Sequence, residues 1–450
     1  MTAPRRVLMI GAHFPPDTSA GTHRLRLLAP HLPAHGWEPT VLTVDPRDYE
    51  SRLDEGLAAL VPENLRVIRC RAWSARTTRR FGFGDLGLRS LRGLCRAADK
   101  LLASEPFDAF FITIYPSYVA LVGPSLKKRH RLPFVLDYQD PWVGSWGKTV
   151  GGGPGGAPDL RSRASLRLAK FLEPRAARAA DALVAVSQRT LDEVIERNPA
   201  LAGVPTLELP IGGEPADFEA LRRAPRLIPH FNPADGDFHV CYVGTLLPLG
   251  FETLRAVFAA ACELKESAPD VYRRLRLRFF GTSNQTAANS PSRALPVAAE
   301  YGVADRVTEV APRLDYLDAL AVQTQASALL LMGSSERHYT ASKLYPAILA
   351  RRPLLAVYHE ASTVTSILRQ AIRPPSARLV TYDDDARAES KSRAIASALA
   401  ELVASPAWRA EDVDDASVVQ FSAAALAGRL AGLLDRVAVG KSQSRKLSVS

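Results

Sequence analysis

The sequence predicts an α/β protein built from two doubly wound parallel sheets facing across a cleft. Three observations predict it. Short apolar runs rich in β-branched and aromatic residues alternate with helical patterns along the whole chain, as in parallel strands covered by helices. These runs fall into two series, one ending near residue 187 and the other starting near 238. Between them, residues 209–237 carry five prolines, the composition of a linker. The expected organisation is a first domain over 1–215 and a second over 235–415. A helix over 417–437 crosses back to complete the first domain, and 438–450 form a disordered tail.

In order, the first series predicts strands at RVLMIGAHF (6–14), PTVLTV (39–44), RVIRC (66–70), AFFITIY (109–115), FVLDY (134–138) and ALVAVS (182–187). Each is too short for a buried helix, and continuous apolar character fits a strand buried on both faces. Helical periodicity falls between them at 22–35, 86–104 and 117–130. The second series predicts strands at FHVCYVGT (238–245), LRLRFFGT (275–282), RVTEVA (306–311), ALLLMG (328–333), PLLAVYH (353–359) and ARLVTY (377–382). Helices are expected at 250–267, 316–326 and 362–371. GGGPGG (151–156) reads as a mobile loop.

Composition removes several classes. With 450 residues, 47% hydrophobic and 23% charged, the chain is neither disordered nor fibrous. It contains no run of eighteen apolar residues, so a membrane-spanning helix is not expected. The N-terminal apolar run ends at His13 and is too short for a signal peptide, which points to the cytoplasm. Cys70, Cys95, Cys241 and Cys262 stand far apart and read as reduced thiols.

The net charge of +10 is concentrated: residues 1–200 hold 29 Lys and Arg against 20 Asp and Glu, nearly the whole surplus. A basic half implies an anionic partner. On a helical wheel of 86–104, Arg89, Arg92, Arg96 and Lys100 cluster opposite Leu88, Leu91, Leu94, Leu101 and Leu102. With Arg76, Arg79, Arg80 and the KKRHR run (127–131) this forms a face for peripheral contact with an anionic membrane. The same pattern also describes an amphipathic helix packed on its own sheet. Basic residues are not interleaved with exposed aromatics, so nucleic acid is not expected.

Several strings carry no chemistry. Gly147-Lys148-Thr149 lacks the first glycine of a phosphate loop, since position 142 is Trp142. No GxGxxG follows the first strand. Asp383-Asp384-Asp385 reads as a solvated turn, and no Cys/His set suggests a metal.

The informative stretch is the first strand–loop–helix unit: Phe14-Pro15-Pro16, then Gly21, Thr22, His23 and Arg24, then LRLLAPHLPAHG and PTVLTV. A small-residue loop feeding a helix start places backbone N–H groups and the positive helix end at the C-terminal edge of the sheet. His13 and His23 flank this loop. Asp140, at the end of the strand in VLDYQDPW (135–142), is the candidate acceptor-side base.

These residues resemble the first unit of GT-B glycosyltransferases of family 4. Three further segments resemble the family in order: ALVAVSQRTLDEVI (182–195), VCYVGTLLPLGFETLRAVFAAA (240–261) and ASKLYPAILARRPLLAV (341–357), while VLDYQDPW resembles its RDxW strand end. The resemblance implies a retaining transferase that takes a sugar from a nucleotide-sugar to a glycan, lipid-linked or small-molecule acceptor. It requires no cofactor beyond the donor and no metal, with Asp140 and His13 as catalytic candidates and His23 and Trp142 on the acceptor side. The sequence departs from the family at the donor pocket. The usual Arg and Lys fall on Thr245 and Leu249, and the two usual glutamates on His338 and Pro346. Substitutes for a repositioned diphosphate site are Ser342 and Lys343 at the start of a helix over 342–350, with Arg313 and His338, beside Gly21, Thr22, Gly244 and Thr245. The alternatives are a GT-B binding protein without catalysis and a GT-B nucleotide-sugar 2-epimerase.

Overall fold

The computed structural model describes residues 3–143, 160–283, 285, 287, 289–334 and 343–447. The expected loop at 151–156, the Gly147–Thr149 string, His338 and Ser342 lie outside the described residues. The chain divides into two compact units, Met1–Ile211 with Ala423–Ser450, and Gly212–Ser422.

The first unit is a seven-stranded parallel sheet. Its strands are β1 (Arg5–Ile10), β2 (Trp37–Val44), β3 (Arg66–Cys70), β4 (Ala109–Ile114), β5 (Phe134–Tyr138), β6 (Ala182–Ala185) and β7 (Thr206–Glu208), in the order β3-β2-β1-β4-β5-β6-β7. β7 has no counterpart among the expected strands. It is three residues long and only half-buried, too short for any periodicity to register. The alternation of side chains along the strands feeds two cores. Val7 and Met9 join Val41, Phe111 and Val135 on one face, while Leu8 and Ile10 join Leu42, Phe110 and Leu136 on the other. Helix α1 (Thr22–Leu28) covers the first face and passes into a 3₁₀ stretch, Ala29–His35, where Pro30 and Pro33 remove α-helical donors. Helices α2 (Leu86–Ser104) and α3 (Val122–His130) cover the other face.

The second unit is a six-stranded parallel sheet of β8 (Phe238–Val243), β9 (Leu275–Phe280), β10 (Val307–Val310), β11 (Ala328–Met332), β12 (Leu354–His359) and β13 (Ala377–Tyr382), ordered β10-β9-β8-β11-β12-β13. The unit opens on helix α4 (Pro215–Arg223), inside the stretch that reads as a linker. Its proline sits at the first helical turn, where no intrahelical N–H is lost. Glu214 caps it by accepting the Ala216 N–H at 3.1 Å, and Phe218 and Leu221 bury into the unit's core. Helix α5 (Phe251–Ser267) follows β8, and the short α6 (Leu344–Leu349) follows β11.

The last helix, α7 (Ala423–Leu447), belongs to the first unit: Leu426, Leu430, Leu433 and Leu434 are buried in the core beneath α1. It runs ten residues past the expected end at 437, since no proline or capping signal stops it there. In both sheets the strand order reverses, between β1 and β4 and between β8 and β11. The loops at the carboxyl ends of these strands are where open α/β sheets bind ligands.

Candidate functional site

In the first unit the loop 11–21 leaves β1 at this reversal point. Its centre is Asp17, fully buried. His13 Nδ1 lies 2.6 Å from Asp17 Oδ2, and the same oxygen accepts from the Ser19 hydroxyl at 2.5 Å and the Thr22 hydroxyl at 3.2 Å. Ser51 donates to the other oxygen. Burial alone would raise this carboxyl, but the hydrogen bonds from His13, Ser19 and Ser51 and the His13 charge outweigh it, holding Asp17 well below the usual carboxylate range. Asp17 thereby orients the His13 ring, which stacks on Tyr49 at 6.0 Å and meets Tyr115 at 5.8 Å.

Behind the loop lies a second buried polar group. Arg24 Nε donates to Asp137 Oδ2 at 2.9 Å, and the Thr113 hydroxyl donates to the same oxygen at 2.6 Å. Arg24 Nη1 also donates to the Leu209 carbonyl at 2.7 Å. Gln139 donates to the Thr113 hydroxyl at 2.8 Å and to the Gly21 carbonyl at 3.4 Å. Burial pushes the Asp137 carboxyl up, opposed by the Arg24 guanidinium and the Thr113 hydroxyl. The charge pair fastens the start of α1 to the ends of β4 and β5.

Asp140 is solvent-exposed at the end of β5, yet the protein mass around it pushes its carboxyl up to about 6 by desolvation; the water that reaches the carboxylate works against that shift. His23 is half-buried, 3.4 Å from Arg26. Trp142 is a correction: at 3% exposure it packs edge-on against Tyr118 in the core and offers no surface for an acceptor. The N–H groups at the start of α1 are not open either. Thr22 N–H donates to Ser19 O at 3.2 Å and His23 N–H to Ala20 O at 3.4 Å, because the loop itself turns back over them. Neither Asp17 nor the Arg24–Asp137 pair was singled out from the sequence. The available signal was an aspartate inside the otherwise apolar strand FVLDY, since a charge there must be paired.

In the second unit the loop 244–250 joins β8 to α5. Gly244 has φ +140°, a conformation that L side chains rarely adopt. A Cβ there would lie 2.2 Å from Lys343 Cε. Lys343, just ahead of α6, therefore lies directly across the loop backbone. Its ammonium donates to the Tyr242 hydroxyl at 2.8 Å and to the Thr245 carbonyl at 3.2 Å, above the Tyr242 ring at 4.8 Å. A hollow of about 20 Å³, enough for one water-sized group, is lined by Tyr242, Thr245, Leu246, Gly250, Gly333 and Ser334. Arg313 is half-buried after the edge strand β10 and donates its N–H to Gln285 O at 2.9 Å. Asp383 accepts the N–H groups of Asp385 and Ala386, a hydrogen-bonded turn. Among the described residues, no group of three His, Cys, Asp or Glu is arranged to hold a metal ion.

The basic surface also differs from expectation. Arg89 is buried and donates to the Trp73 and Asp48 carbonyls, so it leaves the solvated face of α2. Lys127 pairs with Asp181, and Arg129 and His130 with Asp99, which neutralises much of the 127–131 run. Aromatics are interleaved with the cations: Trp73, Phe81 and Phe83 are exposed among Arg71, Arg76, Arg79 and Arg80. They were hidden in sequence because exposure, not residue order, decides which aromatics reach solvent. No helix among the described residues is long and apolar enough to cross a membrane.

Residues 20–201 match the family model described as Glycosyl transferase 4-like domain. Among solved structures, the chain is similar to the N-terminal domain of Candida albicans trehalose-6-phosphate phosphatase, with TM-score 0.60, 12% identity and 97% of each chain covered. It is similar to the α,α-trehalose-phosphate synthase (UDP-forming) of Burkholderia vietnamiensis, with TM-score 0.59 and 12% identity over 98% of this chain and 99% of that one. It is also similar to Anabaena HepE in complex with UDP and glucose, with TM-score 0.53 and 13% identity over 99% and 100%. No curated protein matches. At these identities the likeness is one of fold, and the fold is GT-B, with two Rossmann-like domains.

Proposed function

From a GT-B chain whose residues 20–201 match a glycosyl transferase 4-like domain, we infer a glycosyltransferase that takes a sugar from a nucleotide-sugar to an acceptor hydroxyl. The observation that carries the reading is the Lys343 ammonium drawn across Gly244 at the loop after β8. A departing diphosphate needs positive charge placed where negative charge develops. In the proposed donor complex Lys343 moves from the Thr245 carbonyl to the phosphates, while Gly244 and Thr245 bring backbone close to them; Arg313, Ser342 and His338 are the further donor-side candidates. The small size of the present hollow makes that movement a condition of binding.

On the first unit, His13 held by Asp17, together with Asp140 and His23, supplies acceptor-side groups, of which His13 and Asp140 are able to take a proton; Gly21 and Thr22 remain donor-side candidates. A carboxyl raised above the ordinary aspartate range is better matched to proton transfer at neutral pH than a free one. Retention, independence from metal, and a glycan, lipid-linked or small-molecule acceptor follow from the resemblance to family 4. A cytoplasmic location, with contact between α2 and anionic membrane, completes the proposal.

The test is thermal shift with UDP, GDP, ADP, dTDP and CMP, alone and as sugar conjugates, on the wild type and Lys343→Ala. A ligand at a hundred times its Kd stabilises the native state by about 2.7 kcal/mol, which is readily seen. One nucleotide should raise Tm, and Lys343→Ala should weaken it at least tenfold. A shift indifferent to Lys343→Ala would overturn the donor residue but not the activity. No shift with any nucleotide would replace transfer by a binding role. Sugar interconversion without acceptor would favour the epimerase.

A further inference from the structure

We infer that the concavity in the first unit between α2 and the residues after β3 binds the phosphate group of an anionic ligand. It encloses about 430 Å³, within the range of small-molecule sites. Arg92, Arg96 and Lys100 line it at every fourth position, so they share one helix face. None of the three has a carboxylate partner among the described residues. Like charges stacked at this spacing repel, and an anion in the concavity relieves the repulsion. The nearby carboxylates are already engaged, Asp48 by Arg71 at 2.8 Å and Glu50 by Arg89 at 3.3 Å.

A second observation points the same way. Arg89 lines the pocket at 3% exposure, and its buried Nε has no hydrogen-bond partner. Its Nη1 and Nη2 are held by the Trp73 and Asp48 carbonyls and by Glu50, so Arg89 adds a fixed positive charge behind the pocket wall. The pocket is carved where the chain after β3 crosses α2 at Gly93: a Cβ there would meet the Arg71 carbonyl at 2.2 Å. Its volume exceeds that of a bare phosphate. Trp73, also on the wall and 55% exposed, offers an indole surface to the organic part of the ligand. The ligand class is thus a phosphorylated small molecule or a phosphate-bearing lipid headgroup. This inference does not depend on sugar transfer.

The experiment uses the full chain carrying Lys343→Ala, which removes the donor-side ammonium, with and without Arg92→Gln, Arg96→Gln and Lys100→Gln combined. One arm titrates inorganic pyrophosphate at low salt, reading Tm and Trp fluorescence; the other measures co-sedimentation with phosphatidate vesicles. Binding to pyrophosphate, weakened at least tenfold by the triple substitution, identifies a soluble phosphorylated ligand. Binding to vesicles but not pyrophosphate, lost in the triple substitution, identifies a lipid headgroup. If the triple protein is unfolded by circular dichroism, Arg96→Gln alone replaces it, with an expected three- to fivefold loss. Equal binding by substituted and parent proteins, or no binding of either probe, overturns the inference.

Discussion

Replacing Arg24 with methionine tests whether the first loop is anchored by charge. Arg24 is 1% exposed and Asp137 fully buried, so solvent does not screen the pair. Methionine fills much of the volume but leaves a carboxylate buried with only Thr113 as donor, and strips the Leu209 carbonyl of its partner. Removing one member of a buried pair typically costs 3–5 kcal/mol, and the lost carbonyl contact places this case near 4 kcal/mol. For a unit of this size, roughly 2–4 °C is lost per kcal/mol, so its melting should fall by roughly 8–16 °C. Urea unfolding followed by tryptophan fluorescence reports on this unit through Trp37, Trp73 and Trp142. Removing both charges, with Arg24→Met and Asp137→Leu together, should recover most of the loss, to within about 2 kcal/mol of the wild type. A single substitution costing under 1 kcal/mol, or a double as costly as the sum of the singles, would refute the reasoning.

Gly244→Ala should destabilise the second unit by about 1–3 kcal/mol, from a residue forced to φ +140° and a Cβ that must displace Lys343. It should also weaken nucleotide binding more than tenfold; calorimetric titration that finds wild-type affinity would contradict this. Asp17→Asn addresses pH. The folded carboxyl titrates below its unfolded value of about 3.9, so its stabilisation is complete above that value and fades as pH falls below it. The gap in urea midpoint between wild type and Asp17→Asn should therefore shrink as pH falls below about 4. A gap that widens on acidification would reverse the assignment.

Much of the fold was legible because parallel strands buried on both faces are continuous apolar runs, which sequence displays directly. What escaped was set by context. β7 is a three-residue edge strand with no periodicity of its own. Residues 215–223 look like linker because proline and glycine flank them, yet a proline in the first turn starts a helix as readily as it ends one. At the candidate site the loops after β1 and β8 were placed by motif, and Lys343 by its position after β11. Trp142 and Arg89 were misread because burial decides whether an indole or a guanidinium meets solvent, and burial depends on partners distant in sequence, Tyr118 for Trp142 and Trp73 and Asp48 for Arg89. The His13–Asp17 contact spans only four residues, but nothing local distinguishes an aspartate turned inward from one capping a turn.

The return of α7 to the first unit has a consequence for synthesis. The second unit is complete once residue 422 is made, whereas the first has waited since residue 211 for the leucines that close its core. At roughly 5–20 residues per second, that interval is about 10–40 s. During it, Val7, Met9, Leu25 and Trp37 lack their covering helix. The N-terminal half of the chain is thus the last to become native, and a ribosome that stops just past residue 422 releases a complete second unit joined to an open first one.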